Sequence, residues 1–119
     1  METKNALTAL AALAQETRLA VFRLLVETGP EGLPVGKIGE CLGVAGATLS
    51  FHLKELARAD LVTMRPEGRY IYCMANFATM HSLLAYLTEN CCGGGTSTYV
   101  PVCEPVLCQP QLLPEKEPL

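Results

Sequence analysis

Between residues 34 and 59, two stretches of helical periodicity stand on either side of a turn too short to hold another element. Pro34 suits the first turn of a helix whose apolar positions are Val35, Ile38 and Leu42, and Gly43 stops it. After Val44-Ala45-Gly46 a longer helix runs from about Ala47 to Ala59, with Leu49, Leu53, Leu56 and Ala57 facing inward. Its outward face is expected to carry Thr48, Ser50, Phe51, His52, Lys54, Glu55 and Arg58. A short helix, a glycine-containing turn and a second helix with a polar outer face outline a helix-turn-helix.

The flanking segments complete a small domain around it. Residues 6 to 14 place Leu7, Leu10, Ala11 and Ala14 on one helical stripe, and Glu16 to Thr28 repeats the pattern with Leu19, Phe22, Leu25 and Val26 before Gly29-Pro30 ends it. Glu31-Gly32-Leu33 reads as a connector. Leu61 to Arg65 and Arg69 to Met74 read as two strands joined by Pro66-Glu67-Gly68, because Tyr70 and Tyr72 alternate with Ile71 and Cys73. Asn76 is a good N-cap for a last helix to about Glu89, carrying Phe77, Met80, Leu83, Leu84 and Leu87. The expected fold is mainly α with a small β-hairpin, a winged helix-turn-helix over residues 1–90. Residues 91–119 contain Gly93-Gly94-Gly95 and five prolines, which forbid regular structure and predict a flexible tail.

Composition narrows the function. The 119 residues are 50% hydrophobic, enough for one core, yet no run of about 18 uncharged apolar residues exists to span a membrane. Nine Lys and Arg against twelve Asp and Glu argue against broad nonspecific nucleic-acid binding. The charge is unevenly placed, however. Residues 1–88 hold eight basic and eight acidic side chains, and residues 89–119 hold one and four, so the net charge of −3 belongs to the tail. A neutral body remains free to present a basic face to DNA.

Such a face needs short polar side chains near the start of the second helix for base edges, and cations further along for phosphates. Thr48, Ser50 and His52 meet the first need, and Lys54 and Arg58 the second. Arg65 and Arg69 flank the hairpin tip, where they suit a minor groove or the backbone.

Six cysteines would form three disulfides in a secreted protein. The apolar run at 6–14 lacks the basic flank of an export signal and continues into Gln15-Glu16-Thr17-Arg18-Leu19 as a helix does, so a reducing cytoplasm is the expected setting. There, clustered cysteines serve as metal ligands or redox groups more often than as bridges. Four of the six, Cys91, Cys92, Cys103 and Cys108, lie in the tail.

Leu42-Gly43-Val44, then Leu49-Ser50-Phe51-His52-Leu53-Lys54-Glu55-Leu56, Ala59-Asp60-Leu61-Val62 and Glu67-Gly68-Arg69-Tyr70-Ile71-Tyr72 resemble the winged-helix core of the ArsR/SmtB family of bacterial metalloregulators over roughly residues 5 to 90. The resemblance implies a homodimeric repressor, joined through its first and last helices, that sits on a near-palindromic operator in double-stranded DNA and leaves when a metal or metalloid binds. It implies no enzyme activity and no organic cofactor.

Some members of that family carry arsenic ligands in the helix before the turn, but the equivalent Ile38-Gly39-Glu40-Cys41-Leu42 has one cysteine, so Cys41, like Cys73, is expected to be a buried small hydrophobe. Other members place an adjacent pair at the end of the last helix and a further cysteine beyond it, an arrangement that Cys91, Cys92 and Cys103 resemble. The implied inducer is As(III), with Sb(III) as a second candidate; both are soft and suit three thiolates. The Gly93-Gly94-Gly95 run frees the backbone for the adjacent pair.

Zinc or cadmium would want four ligands, which adding Cys108 supplies, but Cys-Cys-x10-Cys-x4-Cys lacks the paired Cys-x2-Cys knuckles of structural zinc. A thiol redox switch is a further alternative, weakened by the lack of basic residues near the pair. Arsenate reduction would require a thiolate at a helix N-terminus, whereas this pair follows a helix C-terminus.

Overall fold

The computed structural model describes residues 1–93. The chain divides into two units, Met1–Glu89 and Asn90–Leu119. The first contains five helices and a small three-stranded sheet: α1 (Thr3–Leu13), α2 (Glu16–Thr28), β1 (Leu33–Pro34), α3 (Val35–Leu42), α4 (Gly46–Arg58), β2 (Val62–Glu67), β3 (Tyr70–Ala75) and α5 (Phe77–Leu87). The sheet is antiparallel with strand order β1-β3-β2. This is the winged helix-turn-helix expected from the periodicities. No helix among the described residues is long and apolar enough to cross a membrane.

The core draws on every layer. Val21 and Leu25 of α2, Ile38 of α3, Leu49, Leu53 and Leu56 of α4, and Leu61, Val62 and Cys73 of the sheet region are all but inaccessible. Burying a leucine, isoleucine or valine of this kind contributes about 1.5–3 kcal/mol relative to exposure. Helix starts follow local chemistry: the Gln15 side chain accepts a hydrogen bond from the Arg18 backbone N–H at 2.9 Å, and Asn76 caps α5 by accepting from the Thr79 N–H at 3.2 Å.

Three details differ from the sequence reading. Glu31-Gly32-Leu33 is not only a connector, because Leu33 and Pro34 pair with Cys73 and Tyr72 as a third strand. Gly32 makes that approach feasible: with φ 76°, a Cβ there would sit 2.5 Å from the Cys73 carbonyl oxygen. The hairpin turn is shorter than expected, Glu67 pairing directly with Tyr70 across Gly68-Arg69. Gly68, with φ 64°, stands at the first central position, where two-residue hairpins of type II′ need glycine.

The third difference lies in α1, whose buried face is Ala6, Ala9 and Ala12, while Leu7 is 61% exposed and Leu10 39%. Alanines allow α1 to sit close on the domain, so the leucine stripe turns away from this core. A hydrogen bond between the Thr3 and Tyr86 hydroxyls ties the start of α1 to α5.

Candidate nucleic-acid interface and thiol pair

Helix α4 holds its orientation through Leu49, His52, Leu53 and Leu56, which at i, i+3, i+4 and i+7 form one buried stripe. Thr48, Ser50, Lys54 and Arg58 are exposed, as expected of an outer face. His52 is a correction. It is only 9% exposed, because the position three residues after Leu49 falls on the inward side of the helix. Its ring meets Phe51 edge-on at 5.3 Å between centroids, and its Nδ1 is buried without a hydrogen-bond partner among the described residues. In the outer face, Phe51 rather than His52 supplies an exposed ring.

The start of α4 adds a feature that side-chain reading missed. Its N-cap is Ala45, no side chain among the described residues caps it, and its first turn has no acidic residue. The first N–H groups and the positive end of the helix dipole are therefore open to an anion such as a DNA phosphate. Absence of Ser, Thr, Asp or Asn at residue 45 was the available signal.

The cations differ in their freedom. Arg58 Nη1 lies 3.0 Å from Glu55 Oε2. At the wing, Arg65 pairs with Glu67 at 3.4 Å and packs over the Tyr72 ring at 5.2 Å, whereas Arg69 at the turn is exposed and makes no ion pair among the described residues. Lys54 is likewise exposed without an ion-pair partner. Surface pairs such as Arg58–Glu55 are worth little and yield readily to a phosphate.

The cysteines fall into contrasting environments. Cys73 is fully buried, as expected, and burial pushes its thiol up to about 12. Cys41 is exposed rather than buried, which corrects the sequence reading: α3 turns Ile38, not Cys41, into the core.

In the second unit, Cys91 and Cys92 are exposed with their sulfurs 3.5 Å apart. They occupy a turn in which Asn90 and Cys92 have φ of 57° and 59°. That left-handed backbone brings two adjacent side chains together as a regular helix cannot. The hydrogen bond shared with Cys92, and then the charge of that neighbour, hold the Cys91 thiol above its ordinary value.

Two sulfurs each ~2.3 Å from one tetrahedral centre lie ~3.8 Å apart, so the observed pair is within reach of a shared soft ion. Among the described residues no group of three or more His, Cys, Asp or Glu forms a metal cluster. The expected third ligand, Cys103, and Cys108 lie outside the described residues.

A family profile described as a helix-turn-helix domain matches residues 13–65, the span from the end of α1 to the wing. Over 79 residues, 66% of this chain and 78% of the relative, the sequence is 36% identical to YceK of Bacillus subtilis (strain 168), an uncharacterized HTH-type transcriptional regulator. The chain belongs to the helix-turn-helix transcriptional regulators.

Solved structures of such regulators share its winged form. HlyU from Vibrio cholerae N16961 is 30% identical, with 73% of this chain and 97% of that one covered at a TM-score of 0.58. NolR from Sinorhizobium fredii is 29% identical, with 77% and 88% covered at 0.57. The homodimeric winged helix-turn-helix DNA-binding domain Mb0332 from Mycobacterium bovis, described as a possible ArsR-family regulator, is 26% identical, with 73% and 81% covered at 0.58. In this helix-turn-helix regulator the exposed face of α4, its uncapped start and Arg69 form the candidate nucleic-acid interface.

Proposed function

We propose that this regulator is an arsenite-responsive repressor of the ArsR/SmtB type, which binds operator DNA as a homodimer and releases it when As(III), or Sb(III), is captured by Cys91, Cys92 and Cys103. The observation that carries the reading is the exposed thiol pair with sulfurs 3.5 Å apart, on a turn of left-handed backbone, with no nitrogen or carboxylate donor clustered with it among the described residues. Thiolates alone suit a soft trivalent ion, and binding releases their protons. The exposed Leu7 and Leu10 of α1 support a second copy as the partner for that face. Homodimeric Mb0332 provides a precedent for such an assembly.

The chemistry divides between two parts of the chain. Ser50 and Thr48 reach base edges, while Lys54, Arg58 and Arg69 neutralise phosphates, and a dimer sets two α4 helices at successive major grooves ~34 Å apart. Trivalent arsenic supplies a centre that draws three sulfurs together. Cys91 and Cys92 offer two of them from one turn, and Cys103 closes the set. A preference of ~3 kcal/mol for the released form is enough to change occupancy substantially.

The test uses reduced full-length protein and a duplex recovered from a random DNA library by in vitro selection. Arsenite should release the duplex, and Cys91→Ser or Cys92→Ser should leave binding intact while abolishing release. Normal release by either variant overturns the thiol site. Zinc and cadmium run alongside separate the divalent reading. The same exposed pair also favours a redox reading, which predicts loss of DNA binding on peroxide treatment, reversed by reductant, without any metalloid.

A further inference from the structure

A cavity of about 290 Å³ opens beside the C-terminal half of α4, between α1 and the start of α2. Its polar lining is Thr8, Arg18, Glu55 and Arg58, and three alanines complete the wall. A neighbouring hollow of about 220 Å³ shares Thr8 and Arg58 and extends to Asp60.

The charges in the cavity do not cancel. Glu55 is taken by Arg58 at 3.0 Å, so that pair is neutral. Arg18 makes no ion pair among the described residues, and its Nε is buried with no hydrogen-bond partner. An unmet buried donor is costly. The cavity therefore holds one surplus positive charge on a planar fork that suits a carboxylate, with alanine methyls beside it.

We propose that this cavity is an effector site for a small aliphatic monocarboxylate. Its anion pairs with Arg18, and its alkyl part lies against the alanine wall. A single negative charge balances the surplus, whereas a phosphate dianion overshoots it. The volume is that of roughly ten water molecules, which accommodates a short-chain acid.

The site bears on α4 directly, because Glu55 and Arg58 belong to that helix. Arg58 can serve the bound carboxylate or a DNA phosphate, so occupancy lowers affinity for DNA. This regulatory half rests on the proposed DNA-binding role, while the binding half stands on the cavity alone.

Calorimetry on the reduced full chain with sodium butyrate, against sodium chloride at equal ionic strength, tests the binding half. Saturable binding is expected in the millimolar range, weakened about tenfold by Arg18→Gln. Arg18→Lys, which keeps the charge but not the fork, should fall between the two and guards against a folding defect in Arg18→Gln. No saturable butyrate binding, equal binding by Arg18→Gln, or inorganic phosphate binding as tightly as butyrate overturns the site.

In the selected-duplex assay, butyrate should weaken DNA binding about fivefold in the wild type and leave Arg18→Gln unaffected. Butyrate binding without any change in DNA affinity overturns the regulatory half. Intact butyrate binding in a protein that binds no duplex overturns the DNA-binding reading instead and leaves the cavity assigned.

Discussion

Cys73 and the Cys91–Cys92 pair are the same residue type in opposite surroundings. Cys73 sits in β3, fully buried, opposite Leu33 and Met64, with its thiol pushed up to about 12. Cys91 and Cys92 stand exposed on a turn, with their sulfurs 3.5 Å apart. In the strand, burial makes sulfur a piece of hydrocarbon; in the turn, adjacency leaves two thiols open to solvent and to each other. The contrast shows that backbone conformation selects the chemistry: extended β3 points one thiol into the core, and left-handed φ at Cys92 turns two towards one point.

The largest effect should come from the backbone that packs on Cys73. Gly32→Ala places a Cβ against the Cys73 carbonyl at a φ of 76°, and neither backbone segment can yield cheaply. Urea unfolding should show a loss of roughly 3 kcal/mol or more. An unchanged midpoint would mean that β1 is not held against β3 as described.

Next comes pH. The Cys73 thiol ionises near 9.0 when unfolded and about 12 when folded, so the unfolded chain loses its proton first. The contribution of Cys73 is complete below pH 9 and declines as pH rises, by roughly 2–3 kcal/mol at pH 11. Subtracting the alkaline stability profile of Cys73→Ala isolates it, and identical slopes in the two proteins would place Cys73 in contact with water.

Cys73→Ser, which buries a hydroxyl among apolar neighbours, should cost ~2 kcal/mol in the same unfolding assay. Cys91→Ser should change stability by no more than about 0.5 kcal/mol, since its side chain is exposed. Comparable losses for both substitutions would erase the distinction between the packed sulfur and the exposed one.

Much of the fold was legible because punctuation and periodicity coincide. Gly29-Pro30 closes α2 where its apolar stripe ends, and Asn76 opens α5 with the cap that its side chain makes in the structure. The strand β1 was not legible: two residues carry no period, and their pairing depends on a close approach that Gly32 permits 41 residues away from Cys73 along the chain.

On α4 the outer face was read correctly at Thr48, Ser50, Lys54 and Arg58, but polarity alone sent His52 outward. Its spacing from Leu49 and Leu56 places it inward, and the apolar neighbours outweighed the preference of an imidazole for water. Cys41 failed in the other direction, since a small apolar residue has no strong claim on the core when Ile38 occupies it.

The leucines left outside by α1 bear on how much protein a cell must hold. Leu7 and Leu10 are exposed in one copy, and Leu87 of α5 is exposed as well. With a second copy as their partner, part of the folding free energy exists only above the dissociation constant. Thermal stability then rises with protein concentration, and dilution below that threshold removes the share of the folding free energy that the second copy supplies.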